Sequence, residues 1–199
     1  MKVIVIGAAG TVGSAVAEAL GERHEVIRAG RSGGDYRVDM ADIASVQRLF
    51  DQAGRVDAVV AAAGEVHFGP FADMTPAQFD IGLRQKLMGQ VNVALVARDR
   101  LADGGSITLT SGILTQEPIR YGVSATTVNA AVEGFARAAA IELPRALRIN
   151  VVNASVLTES LPVYADYFRG FEPVPARRVA QAYVKSVDGL QTGRVYEVR

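Results

Sequence analysis

The chain has 199 residues, which suits a single domain in which roughly 70% of the unfolded surface can be buried. Its 21 Lys and Arg balance its 21 Asp and Glu, and with 49% hydrophobic and 21% charged residues it has a globular make-up without a charge bias towards nucleic acid or an anionic membrane. There is no cysteine, so disulfides, thiolate nucleophiles and Cys-ligated zinc are excluded, no metal site is expected, and a reducing compartment suits the chain.

The first apolar run, residues 3–6, reads as a strand; four residues are too few for a signal-peptide core or a membrane span, and a cytoplasmic protein is expected. Val12, Val16, Ala19 and Leu20 then share one face of a helix over 12–20. Residues 25–29 form a second strand and 36–39 a short third. The gap of about six residues between them is too short for the helix that normally links a parallel pair. Ile43, Val46, Leu49 and Phe50 mark a helix over 42–52, followed by a fourth strand over 56–62. Thr75 as N-cap with Pro76 behind it starts a long helix to about residue 98. A fifth strand spans 106–110, a second long helix 124–143 stops before Pro144, and a sixth strand spans 148–153. A last helix covers 176–187 and a last strand 194–198. Strands alternating with helices predict an α/β fold, a doubly wound parallel sheet of about seven strands with helices on both faces, in one domain over 1–199. Residues 157–175, with prolines and the aromatic Tyr164, Tyr167, Phe168 and Phe171, read as a short lid over a substrate site, although such aromatics also serve as plain core packing.

Gly7, Gly10 and Gly13 lie between the first strand and the first helix. In that context the pattern is a dinucleotide-binding turn. Gly7 permits the tight turn, Gly10 lets the backbone approach a pyrophosphate, and Gly13 lets the helix pack closely. The helix start at Thr11 and Val12 offers free N–H groups to the phosphates. An acid at the end of the second strand would select NAD, but here the strand runs into Ala29-Gly30-Arg31-Ser32, with no acid before Asp35. Arg31 offers a planar fork and Ser32 a hydroxyl to a 2′-phosphate, so NADP(H) is favoured over NAD(H).

From this turn onward the chain resembles the short-chain dehydrogenase/reductase family over nearly its full length. Ala61-Ala62-Ala63-Gly64 stands where the family has Asn-Asn-Ala-Gly after its fourth strand, and Asp39-Met40 is similar to its adenine-contacting pair. Ala130-Ala131-Val132-Glu133-Gly134-Phe135 resembles its long interface helix, Arg148-Ile149-Asn150 its sixth strand, and Thr192-Gly193-Arg194-Val195-Tyr196 its last strand. The resemblance implies a Rossmann fold and adds Asp39, Met40, Ala62, Ala63 and Gly64 to the cofactor site. It also implies hydride transfer to or from a small carbonyl or alcohol, and a homodimer or homotetramer built through the long helices.

The family's mechanism resembles general acid–base catalysis by a Tyr, a Lys four residues later, a Ser on strand five and a relay Asn. Matched through their neighbours, those positions are Ala125, Asn129, Gly112 and Lys86 here. All four are changed. Tyr121, one turn before Ala125, and Ser111, beside Gly112, are candidate substitutes. So are His67 in the loop after Gly64, as a group that titrates near neutral pH, and Lys86, as an ammonium exchanged with Asn129 between neighbouring helices. Set against each is a bland role: a loop tyrosine, a serine on the wrong strand face, an exposed histidine, a snorkelling lysine. The two functions left open are an NADP-dependent oxidoreductase with an altered acid/base set and a non-catalytic NADP(H)-binding sensor or scaffold.

Overall fold

Seven parallel strands, β1 (Lys2–Ile6), β2 (Glu25–Gly30), β3 (Tyr36–Arg37), β4 (Val56–Ala61), β5 (Leu101–Thr110), β6 (Arg148–Ala154) and β7 (Val195–Val198), form one sheet in a computed structural model that describes residues 1–199. Their order is β3-β2-β1-β4-β5-β6-β7. Strand alternation divides the core. Val3, Val5, Ala58 and Val60 face α1 (Thr11–Gly21) and α7 (Ala176–Asp188), where Val16, Leu20, Val179 and Tyr183 complete one cluster. Ile4, Ile6, Val59 and Ala61 face the other way, towards α2 (Ile43–Ala53), α4 (Gly89–Arg100) and α5 (Val123–Glu142). β1 pairs with β2 on one side and β4 on the other. The crossovers therefore leave β1 in opposite directions and open a crevice beyond the carboxyl ends of these strands.

The link between β2 and β3 has no helix, as its length requires. The pair still closes in parallel because β3 is two residues long and meets only Ala29 and Gly30, at the very end of β2. The chain need not travel back along the strand. Asp35 holds the turn shut from both sides, its N–H donating to the Arg28 carbonyl (2.7 Å) and its carboxylate accepting from the Arg28 N–H (2.8 Å).

Two elements differ from the sequence reading. The long helix expected over 76–98 is α3 (Pro76–Gly82), then a π-helical segment (Leu83–Met88), then α4. Its start is as expected, a capping box between Thr75 and Gln78. The wider turn lies where the helix presses on α5, with Gly82 so close that a Cβ there would stand 2.8 Å from Ser124 Oγ and 3.0 Å from Val128. β5 begins at Leu101 and not at residue 106, with its register to β4 broken between Val56 and Ala58. In the segment 157–175, Leu157 bridges Val174 in parallel, closing a flap that carries α6 (Leu161–Tyr164). No helix is long and apolar enough to cross a membrane.

The contact that sets the β1–α1 angle is testable. A Cβ on Gly13 would lie 2.1 Å from the Gly7 carbonyl oxygen, whereas one on Gly21, at the far end of the same helix, would meet nothing within 4 Å. Gly13→Ala should lower the melting temperature by about 4–10 °C through overpacking, and Gly21→Ala should leave it unchanged or raise it by about 1–3 °C. Thermal melts followed by circular dichroism decide between this and an equal response at both positions.

Candidate cofactor and active site

The glycine turn is built as a phosphate cradle. Gly7 takes φ +88°, and a Cβ on it would collide with the Ala62 carbonyl at 2.7 Å, so only glycine lets β1 turn this close to the end of β4. Gly10 is the N-cap of α1, extended at φ −82° and ψ 167°, and no side chain bonds the helix start. The first N–H groups of α1, from Thr11, Val12 and Gly13, thus have neither an intrahelical partner nor a cap, and the first turn carries no acid to compete with a phosphate.

A cleft of about 270 Å³ runs over this turn. It gathers most of the cofactor residues read from sequence: Gly7 and Gly10, Arg31 and Ser32, Asp39 and Met40, and Ala62, Ala63 and Gly64. Met40 is buried and pinned, its carbonyl accepting from Asn92 Nδ2 at 2.9 Å. Asp39 is exposed, with one carboxylate oxygen taken by the Ala41 N–H. Glu65 and Gln85 also line the cleft and were not singled out from sequence. Glu65 matters most, because its carboxylate lies 3.4 Å from an Arg31 guanidinium nitrogen, both side chains being well exposed. The acid missing from the end of β2 has a counterpart arriving from the loop after β4.

Of the four positions matched to the family's acid/base set, Gly112 and Asn129 are close neighbours. A Cβ on Gly112 would lie 3.4 Å from Asn129 Nδ2. Asn129 is 4% exposed and its Oδ1 has no hydrogen-bond partner. Ala125, in the first turn of α5, is 2% exposed in a small cluster with Ile113 and Leu114, against which Val66, Ile119, Phe168 and Phe171 pack. A second amide missed from sequence steadies the end of β5: fully buried Gln90 donates to the Thr110 carbonyl (2.9 Å) and accepts from its N–H (2.6 Å), continuing the strand ladder into a side chain.

The four candidate acid/base groups fall in different places. Ser111 donates to Glu133 Oε1 at 2.8 Å, and the same carboxylate, 3% exposed, accepts from Asn153 (2.7 Å) and Arg137 (3.0 Å). Its proton is committed to that buried network. Tyr121 precedes α5 at φ +68°, and its ring lies edge-on to Tyr167, outside the Ala125 cluster. His67 makes no hydrogen bond and packs against Gly69, whose N–H donates to the Tyr121 carbonyl. Lys86 lies in the π-helical segment with its stem against Gly64, where a Cβ would be 2.5 Å from Lys86 Cγ. Part of the side chain meets solvent, yet burial of the ammonium pushes it down to about 8, and no ion pair offsets that.

A family model described as Enoyl-(Acyl carrier protein) reductase matches residues 7–188. The chain belongs to the short-chain dehydrogenase/reductase family. This short-chain dehydrogenase/reductase is 35% identical over 131 residues to versicolorin reductase stcU of Emericella nidulans, a match covering 54% of this chain and 50% of that one. It is 28% identical over 175 residues to tetrahydroxynaphthalene reductase of Pyricularia oryzae, covering 75% and 62%. The chain thus spans less than two thirds of the length of these curated relatives. Among solved structures, the protein lin1944 of Listeria innocua superposes with TM-score 0.98 at 48% identity, with all of both chains covered. A small-chain dehydrogenase in complex with NADPH superposes with TM-score 0.88 at 26% identity, covering 100% of this chain and 96% of that one.

The lysine yields a pH test. Its folded pKa of about 8 lies below the 10.5 of an ordinary lysine, so between these values the unfolded chain binds the extra proton and native stability rises with pH. Lys86→Met should be the more stable protein at pH 7, and should lack the gain that the wild type shows from pH 8 to 10.5 in urea unfolding. Parallel pH profiles for the two proteins would remove the buried ammonium from the account.

Proposed function

We propose that this short-chain dehydrogenase/reductase is an NADP(H)-dependent oxidoreductase acting on a small carbonyl or alcohol, with Lys86 as its proton-carrying group. The observation that carries this reading is a single cleft that holds an uncapped helix start and Arg31, and whose Gly64 is packed by the stem of Lys86, a lysine without an ion-pair partner. The NADPH complex of a 26%-identical relative supports the cofactor.

When bound, the cofactor supplies or accepts the hydride. The chain's own residues do the rest. Thr11, Val12 and Gly13 present N–H groups to the phosphates, and Arg31 with Ser32 meets the 2′-phosphate. Met40 and Asp39 form the adenine shelf, and Ala62, Ala63 and Gly64 keep the floor low. Lys86 Nζ, with a pKa of about 8, is still largely protonated at neutral pH yet releases its proton more readily than an ordinary lysine, as a general acid requires. Tyr121 and His67 stand further out as reserve donors, and Ser111 acts through Glu133 as a support. The segment 157–175 serves as the lid.

One observation favours the second reading, an NADP(H)-binding sensor or scaffold: Ala125 is buried within an apolar cluster and offers no proton donor. Saturable NADPH binding without turnover across a carbonyl panel would establish it. In either role the chain is proposed to form a homodimer or homotetramer through α4 and α5. The groove between them holds Leu95, Phe135 and Leu143, and Ile141 on α5 is 86% exposed.

The cofactor assignment is tested by two substitutions. Arg31→Ala should weaken NADPH binding about 10-fold or more while changing NADH less than about 2-fold, the loss expected for a charge-assisted contact to phosphate. Glu65→Gln should strengthen NADPH binding by about 2- to 5-fold, because an exposed ion pair that competes with the phosphate is worth up to about 1 kcal/mol. That gain should vanish in the Arg31→Ala background. Equal responses to NADPH and NADH would withdraw the 2′-phosphate from Arg31.

A further inference from the structure

We infer that Lys86 is the nucleophile of an aldehyde-capture site, where a small aldehyde arriving beside Gly64 is held as an imine on Nζ. This covalent activity lies beyond hydride transfer. It uses the same lysine as the oxidoreductase reading but needs no cofactor.

The 199 residues contain three lysines, Lys2, Lys86 and Lys185. Two are engaged. Lys2 Nζ donates to the Ala53 carbonyl at 2.8 Å and lies 3.8 Å from Glu25, and Lys185 Nζ stands over the Tyr196 ring at 5.2 Å. Lys86 has neither an ion pair nor an aromatic face. Its stem fixes its place. Lys86 Cβ, Cγ and Cδ lie 2.9, 2.5 and 3.1 Å from where Gly64 would carry a Cβ, so the lysine fills the space of the missing side chain. Gly64 takes φ +148° and lines the cleft, as does Gln85, the residue before Lys86. The sealed side-chain atoms without partners are His24 Nδ1, Ser106 Oγ, Ser124 Oγ, Thr126 Oγ1 and Asn129 Oδ1. Lys86 Nζ also lacks a partner but keeps contact with solvent, on a half-buried side chain that suits a small carbonyl compound over a bulky one.

Two consequences of this placement favour capture. Burial holds the ammonium at about 8 against the ordinary 10.5, so at pH 7 roughly a tenth of it is free amine, about 300-fold more than for an ordinary lysine. A desolvated ammonium without a counter-ion is also unfavourable, and an imine carries no charge, so capture relieves that strain. In the reaction the Nζ lone pair attacks the aldehyde carbon while the carbonyl π pair moves to oxygen. One proton passes from nitrogen to that oxygen. The carbinolamine then loses its hydroxyl together with the second nitrogen proton as water, leaving C=N. Nothing is oxidised or reduced.

The experiment incubates the whole chain, without NADPH, at pH 7 with propanal and cyanoborohydride, which reduces imines and spares aldehydes. Peptide mass spectrometry then locates the propyl groups and separates Lys86 from the α-amine of Met1. Lys86 should be propylated at least about tenfold faster than Lys2 or Lys185. In denaturing urea the three rates should become equal, because the fold creates the difference. Lys86→Arg, which keeps a charge but forms no imine, should leave only the slow labelling of the other two lysines. Equal rates at the three lysines of the folded chain, or a preference for Lys86 that persists in urea, overturns the proposal. If Lys86 is captured but no carbonyl is turned over with NADPH, the imine site stands and the oxidoreductase reading falls. If turnover occurs and Lys86 is not propylated, the reverse holds.

Discussion

The contact between α1 and the turn before it governs the placement of everything else at the cleft. A Cβ on Gly13 would come within 2.1 Å of the Gly7 carbonyl, and one on Gly7 within 2.7 Å of the Ala62 carbonyl. Two glycines thus press three backbones together: the end of β1, the start of α1 and the segment leaving β4. That closeness carries the uncapped N–H groups of α1 over the point where the sheet changes direction. It also sets the two flanks of the cleft, because the ends of β2 and β4 lie on either side of β1, and Arg31 and Glu65 meet across it.

Among the candidate acid/base groups, what each can do is decided by its partners. Ser111 has its hydroxyl held by a buried carboxylate. Asn129 keeps a buried carbonyl without a partner, and Lys86, in the π-helical segment, has an ammonium without a counter-ion. Ala125 is buried in an apolar cluster with Ile113 and Leu114, so a larger side chain there would have to displace apolar neighbours.

Sequence reading worked where one residue type has one physical use. The glycine turn, the Thr75 cap, the missing helix between β2 and β3, and the strand alternation at Val3 to Ile6 all follow from local rules, and the fold emerged with its strands in sequence. It failed where a side chain acts at long range. Nothing in Leu83–Met88 marks a π-helical turn, which follows directly on Gly82, where the helix comes close to Ser124 and Val128 on another helix. Gln90 and Asn92 look like ordinary helix residues, and their bonds to Thr110 and Met40 span 20 and 52 positions. Glu65 gave no sign of facing Arg31, a residue 34 positions away that becomes its neighbour only when the sheet forms.

Those two amides on α4 have a consequence for how the cleft behaves as an object. Asn92 is fastened to the shelf at Met40, and Gln90, two residues earlier, to Thr110, the last residue of β5. One helix therefore ties the Met40 shelf to the end of the central strand, as a cross-brace ties two posts. Neither can slide past the other without first breaking these buried bonds, so the seat at Met40 is as firm as the middle of the sheet.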